Sequence, residues 1–277
     1  RLAAKTVFFA AADRAYVDLY GRYYVNSVLK HADVSAIVIL HVIGGTGHLK
    51  EIAKSLGIRD KRLFLAGDSF NATDVSIRCY DAPPKGLIDK PVAHFQSIRF
   101  LRVDAILREL NRPVFVSDID LVLQQGVSDL LERCGDADVV LNENTLNAHA
   151  GSRFTANLLL VNPTDNAARF VRFLGAYLER ALSGHEVSRW IDQLGLLMAR
   201  QHLTLAAHNP RIDYFDTSRD INNVMYTTYQ ANPFRFLSLY HGFDTSSLEQ
   251  QPEASAAKPG RKAAARPAAR QPNLIPL

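Results

Sequence analysis

The sequence predicts an α/β protein: a mostly parallel sheet flanked by helices. Two observations carry this expectation. Apolar runs of strand length alternate with longer segments of helical period through most of the chain, as strand–helix–strand crossovers do. The runs are apolar at consecutive positions, the pattern of strands buried on both faces. At 277 residues the chain can bury a real core.

Thr6 to Ala12 (TVFFAAA) reads as the first buried strand, and Asp13 opens a helix whose aromatic and aliphatic residues run from Tyr16 to Leu29. Ser35 to Ile43 is the second strand; GGTG at Gly44 to Gly47 reads as a turn, and a short helix follows to Leu56. RLFLAGD is the third strand. A long helix spans Val92 to Leu110, with Phe95, Ile98, Leu101, Ala105 and Ile106 at helical spacing. After it come the strand Pro113 to Ser117, a helix near Val127 to Arg133, and the strands ADVVLNE and FTANLLLVNP. Two helices, Asp165 to Leu182 and Ser188 to His202, complete the regular part.

In open parallel sheets, ligands bind beyond the carboxyl ends of the strands. That rule separates two acid-x-acid triplets. Asp118-Ile119-Asp120 follows its strand, where the ligand crevice should lie; Asp136-Ala137-Asp138 precedes its strand and is expected to be a solvated strand entry. Two carboxylates so close repel unless a cation compensates. All-oxygen donors favour Mg2+ or Mn2+, and an added imidazole would tilt the choice towards Mn2+. Such an ion on a diphosphate improves the leaving group, so the motif suggests chemistry on a nucleoside diphosphate or triphosphate.

Charge excludes one class. The net charge is +4, but the stretch from Glu249 holds five of the 32 basic residues and two of the 28 acidic ones. The body is thus nearly neutral, and no nucleic-acid partner is expected. That Ala/Pro-rich tail lacks aromatics and is expected to be disordered. Cys79 and Cys134 lack CxxC spacing and read as buried free thiols of a reducing compartment. No apolar run is long enough to span a membrane, and no secretory segment opens the chain. It begins on Arg1 rather than Met, as a piece of a longer protein would.

Seven stretches in order resemble the retaining glycosyltransferases of family 8, which include glycogenin and bacterial lipopolysaccharide galactosyltransferases. They are VFFAAADRAY, VILHVI, FQSIRFLRVDAIL, VFVSDIDLVL, FTANLLLVNP, WIDQLGLL and LYHGF, spanning Thr6 to Phe243. The resemblance implies a GT-A-type, Rossmann-like fold over residues 1–244, with the tail at 245–277. It implies uracil binding by Asp13 and Tyr16, with Ala11 allowing close backbone approach; an aromatic face suits a planar base and a carboxylate its N3–H. Taken alone, Tyr16 also reads as helix packing.

The arginine that reaches the donor in that family falls on Arg99, with Arg102 a rival one turn on; both also fit as surface arginines. The family's DxD falls on Asp118, Ile119 and Asp120, and its third metal ligand on His241. The pair beside the reacting sugar falls on Asp192 and Gln193, which by pattern alone are polar positions on an amphipathic helix with Trp190 in the core.

The chain departs from the family in three places. The asparagine of FNAG is shifted by two residues, to Asn157, which on a strand keeps it on the same face. The acid that often follows the glutamine is Leu194, which weakens a covalent-nucleophile scheme. The lysine that usually follows the late histidine is missing, with Arg219 and Arg235 as possible substitutes.

The implied activity is metal-dependent transfer of a hexose from a UDP-sugar, retaining in the family's manner, to a glycan, lipid-linked or protein acceptor, as in bacterial polysaccharide or lipopolysaccharide glycosylation. The expected location is cytoplasmic, or peripheral at the inner membrane face. Acceptor residues are expected within Arg211 to Pro233. The rival readings are a metal-dependent nucleotidyltransferase or phosphohydrolase and a non-catalytic nucleotide-sugar-binding module.

Overall fold

The computed structural model describes residues 6–70, 78–81, 85–88, 91–144, 153–184, 186–206, 208–221 and 234–239. The expected tail at 245–277 lies outside them. So does His241.

The first strand, β1 (Val7–Asp13), ends on the residue that caps the next helix: the Asp13 carboxylate accepts from the Tyr16 amide. That helix starts as α1 (Arg14–Tyr16), widens into a π-helical turn (Val17–Gly21) and continues as α2 (Arg22–His31). Next come β2 (Ile37–Ile43), α3 (Leu49–Leu56) and β3 (Leu63–Gly67). The GGTG stretch between β2 and α3 is a tight turn, as expected. Gly44 has φ +70, and a Cβ there would meet the Phe70 carbonyl oxygen at 2.7 Å.

Two short strands, β4 (Arg78–Asp81) and β5 (Lys85–Ile88), precede the long helix α4 (Val92–Leu110). β6 (Val114–Ser117) and β7 (Leu121–Leu123) flank the acidic triplet, followed by α5 (Ser128–Arg133), β8 (Val139–Glu143) and β9 (Phe154–Val161). The remainder is α6 (Asp165–Leu182), β10 (Glu186–Ser188), α7 (Ile191–Leu205), β11 (Ile212–Tyr214) and β12 (Phe236–Ser238).

Seven strands form the central sheet in the order β11-β8-β9-β6-β1-β2-β3. β9 runs antiparallel to both of its neighbours, and the other pairings are parallel. The fold class is therefore the mostly parallel α/β sheet flanked by helices that the sequence predicts. Side-chain alternation shows why its strands are apolar throughout. Val7, Phe9 and Ala11 point into one buried cluster with α4, α6 and α7, while Phe8, Ala10 and Ala12 point into a second with α2, α3 and α5. Among the described residues no helix is long and apolar enough to cross a membrane.

Three sequence expectations need correction. The last long helix begins at Ile191, not Ser188, because Glu186–Ser188 pairs in parallel with β4 in a small sheet of order β10-β4-β5. Trp190 is not core: it is the partly exposed residue preceding α7, with the Arg189 guanidinium 4.6 Å from its ring centre. Asp138 is not solvated but 2% exposed. It accepts from Thr164 Oγ1 at 2.5 Å and from the Arg211 amide at 2.7 Å, joining β8 to the start of α6 and the entry to β11. Asp136 is exposed, as expected. Cys134 is a buried free thiol; the Cys79 side chain lies outside the description.

Candidate functional site

β1 and β6 are parallel neighbours in the register Ala10↔Ser117. Ala11 to Asp13, still paired with β2, and Asp118 to Asp120, which follow the end of β6, therefore lie side by side at the carboxyl edge of the sheet. Beyond Ser117 the three residues Asp118 to Asp120 make a turn, and the chain then pairs again as β7, antiparallel to β12. The turn is pinned from both sides. The Asp118 amide donates to the Asn157 carbonyl at 2.9 Å, and the Leu239 amide to the Asp120 carbonyl at 2.8 Å. Ile119, 3% exposed, turns inward and leaves its two acidic neighbours on the opposite side.

Arg99 comes to this turn from the middle of α4. It is 4% exposed, so it is not a surface arginine. Its Nη1 lies 2.5 Å from Asp118 Oδ1, and its Nη2 lies 3.0 Å from the Ala156 carbonyl and 3.4 Å from Asp192 Oδ2. Its Nε is buried and has no hydrogen-bond partner among the described residues. Arg102 points elsewhere, with Nη2 3.8 Å from Asp68. Of the two rivals, Arg99 is the one at the acidic turn.

Asp192 is buried in the first turn of α7, and Gln193 beside it is partly exposed. Burial, opposed by Arg99 and reinforced by Asp118, raises the Asp192 carboxyl from 3.8 to about 6. The Asp120 carboxyl is raised to about 7, by burial first and by Asp118 second, with Arg99 opposing. Negative charge at the turn is thus only partly compensated by the one guanidinium.

That imbalance, and the all-oxygen chemistry of Asp118 and Asp120, fit a hard divalent cation. Among the described residues no cluster of three His, Cys, Asp or Glu side chains could hold an ion by itself. A third protein ligand would have to come from outside them, where His241 lies.

Tyr16 sits one helical turn past β1 and is 46% exposed, so it is not core packing. Its ring lies 5.6 Å from that of Tyr20, which packs with Tyr23 against Val122, Leu237 and Leu239 on the β7–β12 pair. The aromatic strip thus continues onto the ribbon that leaves the acidic turn. On the β8–β9 side, Asn157 Oδ1 accepts from Asn142 Nδ2 at 2.7 Å.

Arg219 and Arg235, considered for the missing lysine, are engaged elsewhere. Arg235, 2% exposed, grips both oxygens of Asp129 at 2.9 and 2.8 Å and reaches Asp220 at 3.3 Å, while Arg219 also pairs with Asp129. Arg133 completes the group on Asp220. Sequence reading missed this network because its members are far apart in the chain.

It also missed a hub at the ends of β2 and β3. Asp68 accepts from the Gly44 amide at 2.7 Å and the Phe70 amide at 3.1 Å, and pairs with His41 at 2.9 Å. Despite the opposing effect of burial, these donors hold its carboxyl well below the usual carboxylate range. An acid directly after an apolar strand, as in LAGD, was the available signal.

No protein-family model and no curated protein matches the chain. Among solved structures, mouse xyloside xylosyltransferase 1 in its apo form is similar at TM-score 0.47 and 10% identity, over 78% of this chain and 86% of that one. The apo bifunctional glycosyltransferase WbbM matches at 0.47 and 14%, over 79% and 40%. The glycosyltransferase GlyE of Streptococcus pneumoniae TIGR4 matches at 0.46 and 16%, over 78% and 46%. The chain spans less than half the length of the WbbM and GlyE chains. Likeness at this level assigns no activity to the chain.

Proposed function

We propose that the chain is a metal-dependent glycosyltransferase of the GT-A kind that uses a UDP-sugar and retains configuration. The observation that carries this reading is the meeting of Asp118, Asp192 and a buried Arg99 at the carboxyl edge of the sheet, beside Asp120. Asp118 and Asp120 would hold Mn2+ or Mg2+, with His241 as a further ligand; one residue of chain separates it from Leu239, whose amide is bound to Asp120. Bound there, the ion would neutralise charge on the departing diphosphate.

The protein's own groups divide the remaining work. Tyr16 offers an exposed ring for uracil, with Asp13 accepting its N3–H and Ala11 allowing close backbone approach. Arg99, whose Nε–H meets no partner among the described residues, would donate to diphosphate or sugar oxygens. Asp192 would accept from sugar hydroxyls, and Gln193 would lie near the anomeric carbon. The acceptor hydroxyl attacks the anomeric carbon from the face that the diphosphate leaves. Its proton passes to the leaving phosphate oxygen, so the scheme needs no protein base and is compatible with Leu194. The acceptor is a glycan, lipid-linked or protein hydroxyl.

Calorimetric titration of UDP with and without Mn2+, on the wild type and on Asp120→Ala, tests the reading. Metal-dependent UDP binding that Asp120→Ala abolishes is the expected result. No UDP binding under either condition would sink it. UDP binding without turnover of any UDP-sugar would favour the non-catalytic module, and phosphate release without sugar transfer the phosphohydrolase. The engagement of Arg219 and Arg235 by carboxylates gives the non-catalytic module its one structural support.

A further inference from the structure

We propose that Arg99 is an internal counter-cation of the acidic turn, competing with the divalent ion for Asp118 until a diphosphate takes over the guanidinium. The inference rests on the function proposed above and concerns the order in which its ligands bind.

The geometry has three parts. First, the contact of Arg99 Nη1 with Asp118 Oδ1, at 2.5 Å, is short even for a charge-assisted hydrogen bond. An ion binding that partly exposed carboxylate in this arrangement would sit within a few ångströms of a fixed, buried positive charge. Second, the guanidinium is under-used. Of its five N–H donors, one meets Asp118, one meets the Ala156 carbonyl at 3.0 Å, and the Nε–H is buried with no partner among the described residues. A buried donor left unmade is costly, so a ligand with several acceptor oxygens can offer Arg99 more than Asp118 does. Third, a second carboxylate waits behind the first. Asp192 Oδ2 lies 3.4 Å from Nη2, a long contact that can shorten when Asp118 is withdrawn.

Arg99 therefore has two arrangements. In the ligand-free protein it neutralises Asp118 and opposes metal binding. With a diphosphate present it donates to phosphate oxygens and Asp192, and Asp118 is released to the ion. Metal and nucleotide then reinforce each other, and by linkage each improves the other's affinity by the same factor.

The test is Mn2+ binding, read from the electron paramagnetic resonance signal of free Mn2+, on the full chain with and without UDP. Arg99→Gln should tighten nucleotide-free Mn2+ binding by about tenfold or more, the scale of one nearby charge screened almost as strongly as in water. It should also reduce the factor by which UDP improves that binding. Asp118→Asn in the Arg99→Gln background should erase the gain, which a loosened fold would not explain.

Arg99→Lys keeps a charge and should leave nucleotide-free Mn2+ affinity near that of the wild type. Should Arg99→Gln fail to fold, tightening in Arg99→Lys as large as tenfold would overturn charge competition, and unchanged affinity would support it. Nucleotide-free affinity that is unchanged or weaker in Arg99→Gln, with UDP still promoting Mn2+ binding to the wild type, would overturn the inference and leave the proposed function standing. Absence of Mn2+ binding in every protein, with or without UDP, would overturn both.

Discussion

The backbone amide of Leu239 donates to the carbonyl of Asp120 at 2.8 Å, which stitches the end of β12 to the acidic turn. β12 is held in turn by Arg235, whose guanidinium spans Asp129 and the fully buried Asp220. Removing Arg235 takes one of two arginine partners from the fully buried Asp220, which keeps Arg133, and costs about 3 kcal/mol, the low end for breaking a buried pair. Arg235→Met should therefore lower the thermal midpoint by roughly 5–10 °C and weaken Mn2+-dependent UDP binding. Arg172→Ala, on the exposed surface of α6, should change neither. Differential scanning calorimetry and the UDP titration check the pair; an unchanged midpoint in Arg235→Met would show that the network holds nothing in place.

The acidic centre makes stability depend on pH in an unusual direction. Burial raises the Asp192 carboxyl from 3.8 to about 6. The folded state then holds more protons than the unfolded chain between those values, so stability falls as pH rises through that window. The loss is on the order of 2–3 kcal/mol for a fully buried carboxyl with this shift, and Asp120, raised for the same first reason, acts in the same sense. Metal-free protein should melt at a higher temperature at pH 5 than at pH 8, and Asp192→Asn should flatten the dependence. A midpoint that climbs over that range would contradict the electrostatics assigned to the site.

What was legible in the sequence follows from the range of the forces involved. Strand and helix positions could be read because hydrophobic period is local: Phe8 and Phe9 enter opposite clusters simply because they are consecutive on a strand. The carboxyl-edge rule gave Asp118 and Asp120 their place for the same reason, since a strand immediately precedes them. Arg99 could be separated from Arg102 only in three dimensions, because one helical turn decides whether a guanidinium meets Asp118 or Asp68. Asp138 was misread because its donors, Thr164 and the Arg211 amide, lie on elements far along the chain. Nothing near Asp138 in the sequence signals that its charge will be buried and satisfied. The short strands β4, β5, β10 and β12 escaped notice because pairing, not pattern, defines strands that brief.

Gly195 sets how closely α7 approaches α6, and through that where Asp192 stands. A Cβ at this position would lie 2.8 Å from Leu174 Cδ1, 3.3 Å from Leu178 Cδ2 and 3.4 Å from Tyr177 Cδ1. Leu174 and Leu178 are fully buried, so neither can swing aside into solvent. Alanine gains up to about 1 kcal/mol of helix propensity over glycine, which offsets the crowding; Gly195→Ala should change stability by less than about 1 kcal/mol. Gly195→Val adds bulk without that compensation and should cost about 2–3 kcal/mol. The displacement should matter more for ligand than for fold, because Asp192 precedes Gly195 by less than one turn and must reach the Arg99 guanidinium. In Gly195→Ala, Mn2+-dependent binding of UDP should persist, while the additional affinity for UDP-glucose or UDP-galactose over UDP should shrink. Paired calorimetric titrations of UDP and the two UDP-sugars measure that difference. Equal weakening towards all three ligands would mean that the α6–α7 spacing supports the site as a whole and does not set the position of Asp192 in particular.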